Sequence, residues 1–122
     1  MVFEGNYKDG QKYKGKEYIG KELMFDGYYK DGNKWNGIGK EYIDVNLIFK
    51  GEFKKGKKHI GKEYYKNKLI FEGEYKEGKR YTGKEYKNEQ ILFEGKYENG
   101  KRKEGKFYYF YLYTIIKYNI IV

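Results

Sequence analysis

Apolar and polar residues alternate along most of this chain. One set of alternate positions reads Leu69, Phe71, Gly73, Tyr75, and the set between them reads Glu72, Glu74, Lys76. A period of two marks a strand with one face buried. The pattern restarts at fixed intervals. Phe opens a similar segment at Phe3, Phe25, Phe49, Phe71 and Phe93, with spacings of 22, 24, 22 and 22. Glycine occupies the third, eighth and thirteenth residue of every segment, which leaves only Gly20 and Gly39 outside the pattern. Repetition at this period is the signature of a stacked array of one small unit.

The middle glycine follows Asp, Lys, Glu or Asn between two strand-like runs. Two turns fit: a two-residue type I′ turn, or a three-residue loop with a left-handed glycine. The three-residue loop is expected, because it places Tyr75 opposite Lys79, Gly73 opposite Tyr81 and Phe71 opposite Gly83. Each ring would then face a glycine on the paired strand. One face of that hairpin carries Leu69, Phe71, Gly73, Tyr75, Tyr81 and Gly83. The other carries Glu72, Glu74, Lys76, Arg80, Thr82 and Lys84, and pairs Glu74 with Arg80 and, one repeat earlier, Glu52 with Lys58. The second half of each of the first four repeats ends in Gly-Lys-Glu-Tyr, as at 61–64 and 83–86, and the fifth reads Gly-Lys-Phe-Tyr. The second repeat is two residues longer, which predicts a bulge at Gly37–Gly39.

The expected fold is therefore all-β: a single-layer, elongated, twisted antiparallel meander of about five β-hairpins. Ten strands at ~4.8 Å each make a sheet roughly 48 Å long. Five repeats cover residues 1–108, with starts near 3, 25, 49, 71 and 93. Residues 109–122 are expected to form an apolar cap strand or tail. A repeat at the very start and an uncapped apolar end predict a fragment of a longer array, or a homodimer joined through the array end.

The segment Phe-Glu-Gly-Glu-Tyr-Lys-x-Gly-Lys-Arg-x-x-Gly-Lys-Glu-Tyr resembles the MORN (membrane occupation and recognition nexus) repeat. Residues 31–42, DGNKWNGIGKEY, lie nearest its fuller form. The resemblance spans residues 1 to about 108. It implies an elongated sheet of hairpins that binds or scaffolds, with proposed contact to acidic phospholipids and no catalysis by the repeats.

Composition agrees with a non-catalytic role. The chain has 122 residues, with 17 Tyr, 8 Phe and 17 Gly, and no Cys, Ser, Ala or Pro. That removes disulfides, thiolate metal sites and serine or cysteine nucleophiles. No cofactor or metal is expected. The lone histidine, His59, stands in a column of Tyr and Trp and reads as a packing substitute. The recurring Glu17, Glu41, Glu63 and Glu85 read as structural, since a catalytic pair is not copied once per hairpin.

Charge is uneven. Of the net +9, residues 49–70 carry +6. The tip Lys54, Lys55, Lys57, Lys58 is the candidate anion or lipid site, set against a reading as a solvated turn. Nucleic acid is disfavoured, because the aromatic residues are better explained as packing. Tyr13, Trp35, Tyr75 and Tyr81 are candidates for an aromatic groove that takes a partner, with Trp35 as its best anchor. The expected function is a protein-binding scaffold module. The alternatives are peripheral binding of acidic phospholipid headgroups and an antitoxin-like variant binding one protein. No basic region followed by an apolar run opens the chain, so the expected location is cytoplasmic, or peripheral at membranes.

Overall fold

The computed structural model describes residues 1–108, so the expected cap at 109–122 lies outside the described residues. Ten strands form one open antiparallel sheet in chain order. They are β1 (Val2–Lys8), β2 (Gln11–Ile19), β3 (Glu22–Lys30), β4 (Asn33–Ile43), β5 (Asn46–Lys54), β6 (Lys57–Tyr65), β7 (Lys68–Lys76), β8 (Lys79–Lys87), β9 (Gln90–Glu98) and β10 (Lys101–Phe107). The described residues contain no helix.

The turns are two residues long, which corrects the expected three-residue loop. In the β7–β8 turn, Glu77 and Gly78 both have positive φ, 52° and 78°. Lys76 therefore pairs with Lys79. Two left-handed residues define the type I′ turn, whose twist matches that of the flanking strands. A β-bulge follows between Glu74 and Tyr75, and it slides the register so that Gly73 faces Gly83 and Phe71 faces Glu85. Neither turn alone gives this register; turn and bulge give it together. The β5–β6 pair repeats it, with Gly51 facing Gly61 and Phe49 facing Glu63.

The reason lies in the Phe ring. It leans along its own strand and covers two opposed glycines. A Cβ on Gly83 would lie 2.7 Å from Phe71 Cζ, and one on Gly73 would lie 3.0 Å from it. Strand glycines weaken a sheet unless something occupies the freed space; here an aromatic ring occupies it. Phe25, Phe49, Phe71 and Phe93 are almost fully buried in this way. The Tyr or Phe four residues on links neighbouring hairpins edge-to-face. Tyr75 stands 5.5 Å from Phe49 and 5.6 Å from Phe71, and Tyr97 stands 5.5 Å from Phe71 and 5.7 Å from Phe93. Such ring pairs add to the area they bury.

The bulge also moves residues between faces. Arg80 faces Tyr75 and lies over Phe71, its guanidinium carbon 4.4 Å from the ring centre. Lys58 faces Phe53 and lies 4.8 Å from the centre of Phe49. The expected pairs Glu74–Arg80 and Glu52–Lys58 are therefore not formed. Arg80 Nε instead donates to Glu63 at 2.6 Å, and Lys58 Nζ is 3.7 Å from Glu41. The aromatic face is thus roofed by basic side chains and carboxylates instead of lying open as a long strip.

The expected bulge at Gly37–Gly39 is also absent. Gly37 faces Gly27 on one side of β4, and Gly39 faces Gly51 on the other, with no irregularity between them. Two inserted residues preserve the alternation of faces, so no bulge is needed. The glycine row simply steps by two residues, and β4 is two residues longer than most of its neighbours.

Candidate functional site

The step in β4 decides where the candidate residues meet. It brings the β5–β6 turn level with Trp35 and Asn36. Gly56 N donates to Trp35 O at 2.8 Å, and Lys55 N donates to Asn36 Oδ1 at 2.8 Å. Sequence reasoning missed this contact, although the two-residue insertion was its signal. The result is a depression of about 550 Å³. Trp35, His59 and Tyr75 line it together with Lys54, Lys55, Lys57 and Lys58. Lys76 and Glu77 close the β7 side.

The four lysines are not equivalent. Lys57 Nζ pairs with Glu77 at 2.8 Å, and this bond is the largest cause holding the Glu77 carboxyl below its ordinary range. Lys58 lies toward Glu41 and the Phe49 ring. Among the described residues, Lys54 and Lys55 have no ion-pair partner. Lys30 Nζ sits 4.7 Å from the Trp35 ring centre, adding a further cation beside the indole.

No family model, curated protein or solved structure matches this chain.

The candidate aromatic residues divide among three places. Trp35 and Tyr75 share the depression with the lysines, although Tyr75 is buried and belongs to the core. Tyr81 lines a second depression of about 530 Å³ with Tyr97 and Lys103. Tyr13 packs edge-on against Tyr28 at 6.2 Å, with Lys8 above its ring. His59 lines the same depression as Trp35.

The recurring glutamates are structural. Glu17 is buried and accepts from Tyr29 Oη at 2.9 Å and Lys12 Nζ at 3.1 Å. Burial pushes its carboxyl up, but the bonds from Tyr29 and Lys12 and the charge of Lys34 outweigh it. The net pKa is below the ordinary 4.5. Glu85 repeats this arrangement with Tyr97, Arg80 and Arg102. Its burial is likewise outweighed by the bonds from Arg102 and Tyr97, and its carboxyl is also lowered. Glu17 and Glu85, held ionised by these partners, tie neighbouring hairpins of the sheet together.

Proposed function

We propose that this chain is a MORN-type, non-catalytic binding module that takes a protein partner at the depression between Trp35 and the β5–β6 turn. The observation that carries the reading is the pair of bonds from Gly56 and Lys55 to β4. They seat the only tryptophan of the chain against its most basic turn. A half-buried tryptophan at the wall of a depression suits a protein interface, where Trp, Tyr and Arg anchors supply most of the binding energy. The Gly-Lys-Glu-Tyr motifs and paired glycine columns support the MORN reading. The hydrogen bonds and ion pairs of Glu17, Glu63 and Glu85 support a role without catalysis.

The test is affinity purification from source cells with the unmodified chain and with Trp35→Ala. A discrete protein retained by the first and lost by the second supports the reading. A protein retained equally by both overturns it.

A second reading is peripheral binding of acidic phospholipid headgroups. It is favoured by Lys54 and Lys55, which have no acidic partner among the described residues. Among the described residues no helix is long and apolar enough to cross a membrane. Co-sedimentation with phosphoinositide vesicles at low and high salt separates the readings. Pelleting that Lys54→Glu with Lys55→Glu abolishes, and that salt reverses, favours the lipid.

A further inference from the structure

Lys50 breaks a rule that the other hairpins keep. Residues on the face away from the Phe rings form rows running across the strands. Glu72 faces Lys62 on one side and Lys84 on the other, and Glu94 faces Lys84 and Lys106. Each carboxylate stands between two lysines. The corresponding residue of the first two repeats is Glu4 or Asp26, and both face Lys16. In β5 that residue is Lys50, which faces Lys40 and Lys62. Three lysines thus stand side by side, where like charges directly opposite destabilise a sheet.

The carboxylate has a second role that Lys50 cannot fill. Glu72 accepts a hydrogen bond from the Tyr86 hydroxyl, and Glu94 accepts one from Tyr108 Oη at 2.9 Å. Tyr64 is at the same place in its repeat, and a lysine offers it no acceptor. Lys40 is held at one end of the row by Glu22, 3.3 Å away. Among the described residues neither Lys50 nor Lys62 has an ion-pair partner within 4.0 Å.

Beside the lysine row runs a second row on the same face, Ile38, Glu52 and Ile60. Ile38 is 66% exposed and Ile60 43% exposed. A cationic row and two open isoleucines are therefore about two residues apart, ~6.7 Å. Lysines on adjacent strands are ~4.8 Å apart. Side chains three or four apart on a helix are separated by about 5–6 Å, whereas same-side positions of an extended strand repeat at ~6.7 Å. A helix about 10 Å across, lying over β4–β6, would set carboxylates against the lysines and apolar side chains against the isoleucines.

We infer that Lys40, Lys50 and Lys62, with Ile38 and Ile60, form a docking surface for an acidic amphipathic helix of a protein partner. The inference rests on the protein-binding reading but uses the opposite side of β5 from the Phe rings. The partner's carboxylates would supply the charges that Lys50 took away.

The probe is a synthetic 18-residue amphipathic helical peptide with glutamates three and four apart beside a leucine stripe. Its control carries glutamine for each glutamate. Binding is followed by calorimetry at 50 and 300 mM salt, with thermal unfolding alongside. The unmodified chain binds the acidic peptide, more weakly at high salt, and binds the glutamine control at least tenfold more weakly. Lys50→Glu weakens binding at least tenfold while raising Tm by about 4 °C, because it restores the ordinary row. Trp35→Ala leaves peptide binding unchanged. Undiminished binding by Lys50→Glu, a lowered Tm, or no binding at 100 µM peptide would each overturn the inference. Lys50-dependent capture of acidic vesicles without peptide binding would also overturn it, in favour of a lipid surface. Binding lost in Trp35→Ala but kept in Lys50→Glu would sink this inference and leave the Trp35 depression standing.

Discussion

The β5–β6 and β7–β8 hairpins share one architecture and differ in what they present. Both place a fully buried Phe over two opposed glycines, and both close with a left-handed two-residue turn. Both set a basic residue over the Phe ring, Lys58 in one and Arg80 in the other. They diverge where that shared architecture leaves freedom. In β7–β8 Arg80 reaches both Glu63 and Glu85, and Glu72 sits between two lysines. In β5–β6 the cation over the ring is a lysine farther from its carboxylate, Phe53 takes the place of Tyr75, and Lys50 reverses a charge. The comparison separates residues held by the fold from residues released for another purpose.

The largest effect should be common to both hairpins. Phe49→Ala and Phe71→Ala each empty a buried ring site and should each cost about 3–5 kcal/mol in urea unfolding. A difference between them above about 1.5 kcal/mol would show that the two hairpins do not share one core solution.

The next effect should separate them. Arg80→Met strands the half-buried Glu63 and takes one of three partners from Glu85, which keeps Tyr97 and Arg102, and should cost about 2 kcal/mol. Lys58→Met removes a longer contact to one carboxylate and should cost less than about 1 kcal/mol. Equal losses would erase the distinction between the two roofs.

Titration sharpens the same contrast. Burial, then the bond to Glu72, pushes the Tyr86 hydroxyl up to about 12 from 10. The raised folded value means this stabilisation is complete below pH 10 and is lost as pH rises from about 10 to 12. Glu72→Gln should flatten that alkaline loss in pH-dependent unfolding. The Glu17 and Glu85 carboxyls are shifted the other way, below 4.5. Their contribution is full above about pH 4.5 and is lost as pH falls through the lowered values. Glu85→Gln should therefore make unfolding less sensitive to acid, and an unchanged acid slope would contradict the ion-pair role.

The smallest effect is a gain. Phe53→Tyr places a hydroxyl where Tyr29 and Tyr97 bond Glu17 and Glu85. It should add about 0.5–1 kcal/mol by bonding Glu41. A loss of stability would mean that the β5–β6 site cannot accept the ordinary column residue.

Strand order and the all-β layer were legible from the alternation and the three glycine columns. The register was not. Turn type and bulge each shift pairing by one residue, so the sequence leaves Phe71 opposite Gly83, Lys84 or Glu85, and the sheet pairs it with Glu85. The choice depended on one ring covering two glycines, which is a packing fact with no local sequence mark. The tip lysines and Trp35 were each legible as residues. Their meeting followed from the two-residue step at β4, whose insertion was visible but whose consequence lay twenty residues away. The lysine row of β4–β6 was hidden because like charges become neighbours only once strands are paired. The reversal at Lys50, against Glu4, Asp26, Glu72 and Glu94, was its visible trace.

Site-specific photo-crosslinking in source cells tests the central assignment most directly. A photoreactive phenylalanine replaces Trp35 in one sample and Tyr81, its counterpart in the β7–β8 hairpin, in another. Capture of one discrete protein from position 35 and none above background from position 81 is the expected result. Equal capture at both positions, or none at position 35 in a chain that remains folded, would contradict the assignment of binding to the β4–β6 region.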